Sequence, residues 1–150
     1  MLDFIWHLRG FVALDGLATN EVALDAVVRL LKKQRKPITG RGSDFVIFDD
    51  PLWRDPFGPN WLAMVMYDRG TFRIEQGLNG RRLRYELRSL HGMVFCLFGA
   101  LMGFLVGIAA GGFLGGLKFA AVAFGWLYGM NVLLALWRIP RSIRKAVRAT

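Results

Sequence analysis

Few residues in this chain are of a type that could carry acid–base or metal chemistry. Asp49, Asp50 and Asp55 fall close together in a stretch that also holds Pro51, Pro56 and Pro59. Carboxylates so grouped could bind a divalent cation or divide acid and base roles between them. They lack the oxygen-ligand periodicity of a calcium loop. His7 and His91 are far apart and Cys96 is the single cysteine, so no metal-ligand spacing and no internal disulfide arise. His91, at the mouth of an apolar run, is the one histidine placed to ligate a pigment or haem. A lone histidine at such a boundary more often serves as polar trim. No phosphate-cradling loop, nucleophile elbow or Ser/His/Asp arrangement is present. The sequence therefore predicts no catalytic residue, no metal and no cofactor.

The same proline-rich stretch carries Trp53, Phe57 and Trp61. Aromatics on a rigid polar loop either fold back onto a core or are presented outward, and rigid aromatic anchors are what interface hot spots are made of. These three are the expected partner-contact residues.

The strongest pattern is apolar. Residues 93–117 and 119–137 carry no charge, are separated by Lys118, and are each of the length that spans a bilayer, about 20 residues. Gly99, Gly103, Gly107 and Gly111 recur every fourth residue in the first, and Ala121, Gly125 and Gly129 do so in the second. In lipid, small residues that let backbones approach closely form the adhesive surface between helices. The spacing predicts a transmembrane hairpin, about 90–114 and 117–137, packed through these residues against itself or a partner. Asn131, the one amide in the second span, is expected to bond across to the first helix or a neighbour. No intramembrane carboxylate exists to carry protons or sodium.

The charges are partitioned around these spans. The chain is 54% apolar with a formal charge of +9, yet all 11 acidic residues lie before the first span. Arg81, Arg82, Arg84 and Arg88 precede it, while Arg138, Arg141, Arg144, Lys145 and Arg148 follow the second. By the positive-inside rule both termini are expected in the cytoplasm of an inner-membrane protein. Residues 1–16 show no apolar core of a signal peptide. The excess of basic residues belongs to the membrane flanks and does not point to nucleic acid.

The elements that must position these residues are an α+β domain, 1–88, the spans, 89–137, and a basic tail, 138–150. Alternation over 2–14 predicts a strand, and Thr19 or Asn20 caps a helix from Glu21 that ends near Pro37. Strands are expected at 45–48, 61–67, 72–75 and 83–87, with Asn79-Gly80 turning the last pair. The result is a small antiparallel sheet with one packed helix. Ser89 is placed to cap the first span directly, with no flexible linker. In the tail, Arg138, Arg141, Arg144, Lys145 and Arg148 are expected to touch anionic lipid from a short amphipathic helix lying in the interface. Together these features suggest a non-enzymatic accessory or scaffold subunit of an inner-membrane assembly. Its partners would be membrane lipids and either itself or a larger complex. The alternative is a membrane-anchored sensor of a small ligand or lipid, using a cavity between sheet and helix.

Overall fold

The computed structural model describes residues 6–14, 19–51, 63–77 and 80–148. Five antiparallel strands, β1 (His7–Ala13), β2 (Ile38–Arg41), β3 (Phe45–Asp49), β4 (Arg69–Gly77) and β5 (Gly80–Arg88), form one sheet in the order β1-β5-β4-β3-β2. Helix α1 (Asn20–Lys33) connects the two edges. It starts where Thr19 Oγ1 accepts the Val22 N–H at 3.3 Å. It ends before Pro37 in a Schellman turn, with Lys36 N–H donating to the Leu31 carbonyl and Arg35 in the left-handed region at φ 56°.

Alternation in the strands sends Leu8, Val12, Val46, Phe48, Phe72, Ile74, Leu83, Tyr85 and Leu87 into one buried face. Rings of Phe48, Phe72 and Tyr85 line up across β3, β4 and β5 with centroids 6.5 and 6.4 Å apart. Gly10 stands opposite Tyr85 in the β1–β5 register, and a Cβ there would overlap the Tyr85 phenol. The exposed face is laced by ion pairs. Arg9 meets Glu86 at 2.7 Å, and Glu75 accepts from both Arg82 and Arg84 at 3.3 Å. Each such surface pair is worth under about 1 kcal/mol.

The helical part departs from the sequence-based expectation. Helices α2 (Leu90–Phe124) and α3 (Met130–Arg148), joined by a π turn (Gly125–Gly129), form one 59-residue helical run, Leu90–Arg148, in place of two spans divided near Lys118 and a separate tail helix. A lysine is a good helix former and does not interrupt the hydrogen-bond ladder. The non-helical residues within α2 are instead Gly111 and Gly112, the latter at φ 66°, ψ −165°, which only glycine adopts readily. From Leu90 to that point the helix rises about 30 Å, the thickness of a bilayer core. There the run turns back on itself, bringing Leu127 beside Gly99. It is the one helix among the described residues that is long and apolar enough to cross a membrane, and 17% of its most apolar window is buried. Its large side chains, among them Phe98, Val106, Leu114 and Val122, face outward.

The sheet carries two helices on its face, not one. Helix α3 continues through Pro140, and Ala135, Ile139, Ile143 and Val147, four residues apart, complete the core formed by α1 and the sheet. Helix α3 lies over β1 and α1 over β3, and the two touch. Ile139 and Ile143 are fully buried. The apolar stripe expected to meet lipid meets protein. Two smaller differences concern strands: 63–66 is a turn, and β2 forms where the sequence suggested only the end of α1.

If α3 is a core element, Ile143→Ala should cost about 2–5 kcal/mol of domain stability, the usual range for such a truncation. Denaturant unfolding of the full chain in detergent, followed by circular dichroism of the sheet, reads this. A loss below about 0.5 kcal/mol would mean that α3 only rests on the surface.

Candidate functional site

The chemistry-bearing side chains converge where the domain meets the helical run. β5 ends at Arg88 and α2 begins at Leu90, so Ser89 alone joins them. Its N–H donates to the Trp6 carbonyl at 2.7 Å, and its hydroxyl lies 3.3 Å from that carbonyl and 3.1 Å from the Tyr128 hydroxyl. Ser89 thus makes no side-chain cap on α2. That place is filled from the residue just before β4: Asp68 Oδ1 accepts the His91 N–H at 3.5 Å. A carboxylate at a helix N-terminus is favoured by the macrodipole.

Asp68 is fully buried, and its charge is met at close range. Arg88 Nε and an Nη donate to Asp68 Oδ2 at 2.8 and 2.6 Å, and His91 Nδ1 lies 4.0 Å from the same oxygen. The Asp68 N–H donates to the Arg88 carbonyl and the Asp50 N–H to the Asp68 carbonyl. Asp50 itself faces Lys36 at 3.6 Å in a second pair with both side chains 5% exposed. Gln34, also buried, accepts the Met64 N–H at 3.1 Å. Gly92 packs so closely on the 63–66 turn that a Cβ would stand 2.9 Å from the Met66 carbonyl. Burial first, and then the neighbouring Tyr128 and Tyr85 phenols, push the Tyr67 hydroxyl above the ordinary tyrosine range. Tyr67 is therefore a neutral group at physiological pH.

Two recesses flank this junction. One, about 360 Å³, is walled by the 63–67 segment on one side and by Trp126, Met130, Asn131 and Arg138 on the other. The second, about 540 Å³, lies between α1 and α3. The space between sheet and helices, where a sensor's cavity was expected, is filled by the core residues.

The expected site residues are distributed as follows. Asp49 pairs with Arg69 and Asp50 with Lys36, while Asp55 lies outside the described residues, as do Trp53, Phe57 and Trp61. Among the described residues no three His, Cys, Asp or Glu side chains converge as metal ligands, and the neighbour of the His91 ring is the Asp68 carboxylate. A methyl at Gly103 would stand 3.4 Å from Ala123 Cβ, and one at Gly107 would stand 2.8 Å from the Gly116 Cα. Gly99 meets Leu127, and Gly111 belongs to the bend. Ala121 and Gly125 are exposed, and among the described residues nothing lies within 4 Å of a Cβ at Gly125 or Gly129. Asn131 donates to the Leu127 carbonyl of its own helix at 2.6 Å. In the tail, Arg141 stacks on Trp137 at 3.8 Å from the ring centre, and Arg144, Lys145 and Arg148 are exposed. Sequence reasoning missed Asp68, because a cap supplied from a bend more than 20 residues earlier in the chain leaves no local signature.

The chain matches no family model, no curated protein and no solved structure. The arrangement at the junction holds elements together: its charges are paired with one another.

Asp68→Asn should therefore cost about 3 kcal/mol, because it leaves Arg88 half-buried without its counter-charge. Arg88→Met added to it should recover part of that loss. Asp49→Asn, whose partner Arg69 is exposed, should cost under about 1 kcal/mol. Chemical denaturation of the three variants reads the order, and equal effects at Asp68 and Asp49 would contradict it.

Proposed function

We propose that this protein is a non-enzymatic scaffold subunit of an inner-membrane assembly, docking through its helical run and holding its domain as a fixed platform. The observation that carries this reading is the face left open once the chain has packed on itself. Gly99, Gly103 and Gly107 are taken up internally, whereas Ala121 and Gly125 are exposed and nothing among the described residues lies within 4 Å of a Cβ at Gly125 or Gly129. Small residues four apart on an outward helix face permit the close backbone approach by which helices associate in lipid. The platform follows from the junction. One residue joins sheet to helix, and the run returns to finish the core, so a partner that binds the membrane portion also fixes the domain's orientation.

Both ends of the run pack into one domain, which supports both flanks lying on the same side of the membrane. Arginines at 81, 82, 84, 88, 138, 141 and 144 favour the cytoplasm as that side, by the positive-inside rule. A cysteine at Gly111 should react with a membrane-impermeant thiol reagent in intact cells, and one at exposed Thr39 should not. The opposite pattern would overturn the orientation.

Two glycine substitutions test association. Gly125→Leu fills open space, so it should leave the monomer's stability unchanged and weaken crosslinking to the partner, whether a second copy or a larger protein, about tenfold or more. Gly107→Leu intrudes on the Gly115–Gly116 backbone and should destabilise the run itself by about 1–3 kcal/mol. Unchanged crosslinking of Gly125→Leu in native membranes would remove the docking face.

A further inference from the structure

The cleft of about 540 Å³ between α1 and α3 has a chemistry that the platform reading does not use. Arg29 and Lys33 line it from α1, one helical turn apart, and Lys145 lines it from α3. All three are exposed. Among the described residues no carboxylate lines the cleft, and in the sequence no acidic residue occurs after Glu86 or between Arg29 and Gly42. The remaining polar groups are Gln34 and Ser142. Gln34 Oε1 is occupied by the Met64 N–H, which leaves its amide hydrogens as donors. The floor is apolar, from Ala26, Leu30 and Ala146.

Cations at the end of a helix serve its macrodipole, and that would suffice for Lys32 and Lys33 alone. It does not account for Arg29, a turn earlier, or for Lys145, which another helix brings to the same space. Packing α3 against α1 gathers three like charges around one recess, an arrangement that a bound anion relieves. Arg and Lys together are the donors that phosphate oxygens take, Arg by a planar fork and Lys as a point charge. We propose that this cleft binds a phosphate group, carried either by an anionic lipid headgroup or by a free phosphate ester. Its apolar floor accepts the carbon portion next to that phosphate. The site goes beyond the platform reading and stands apart from it, since Gly125→Leu leaves the cleft intact.

The test uses the full chain in nanodiscs. Retained lipid is counted by native mass spectrometry in phosphatidylcholine discs with and without phosphatidylglycerol, and melting is followed in phosphatidylcholine discs titrated with glycerol 3-phosphate. Wild type should keep phosphatidylglycerol, or melt higher with glycerol 3-phosphate; the first outcome identifies a headgroup and the second a free ester. Arg29→Gln/Lys33→Gln/Lys145→Gln should weaken that response at least about tenfold, as expected for losing charge-assisted hydrogen bonds. Lys33→Gln alone, at an exposed position, should show an intermediate loss and carries the result if the triple variant melts early. Lys32→Gln, on the same helix but outside the cleft, should behave as wild type. No response to either probe, or an equal loss in Lys32→Gln, would overturn the proposal.

Discussion

Everything in this fold depends on the burial of one stripe of α3. Ile139 and Ile143 are fully enclosed by α1 and the sheet, and removing such side chains from water is worth about 1.5–3 kcal/mol each. Among the described elements, α1 packs on β3 and α3 on β1. A domain of fewer than 90 residues has little core to lose. The apolar run is thus not an appendage to a finished domain. It leaves from the last strand and returns to complete the same core.

That closure sets the geometry of the junction. Because both ends of the run are fixed, Ser89 and Tyr128 meet although they are 39 residues apart. The Asp68–Arg88 pair then does two things at once: it neutralises a buried carboxylate and places a negative charge at the start of α2. The bend at Gly111–Gly112 is equally constrained. With the two ends held, the arms must lie side by side, and glycines at 103, 107 and 116 let them do so. The residues that pack the arms and the residues left facing outward are therefore different parts of one small-residue pattern.

Much of this was legible in the sequence, element by element. Thr19 announces the start of α1, alternation marks β1 and β5, and uncharged length marks the run. What the sequence does not show is which apolar medium an amphipathic stripe meets. The row Ile139, Ile143 and Val147 fits a lipid surface or a protein core equally well, and only the tertiary arrangement decides. Periodicity also concealed the bend: Gly111 continues the four-residue series, so it reads as one more packing position, whereas its neighbour Gly112 makes the pair a turn. The small residues facing the first arm are Gly115, Gly116 and Ala123, a register offset from the Ala121–Gly125–Gly129 stripe. Asp68 was hidden for a different reason, since its role joins residues from separate strands and a helix. The basic residues of the α1–α3 cleft were visible in the sequence but their grouping was not. Arg29 and Lys33 look like the end of one helix until α3 brings Lys145 beside them.

Native-state hydrogen exchange of the full chain in nanodiscs tests the central claim most directly. If domain and run form one cooperative unit, amides of α3 from Ile139 to Val147 open with the same free energy as those of β4, β5 and α1. Exchange of that α3 segment far faster than the sheet, with the sheet's protection undiminished, would show that the domain folds without it and would contradict the account.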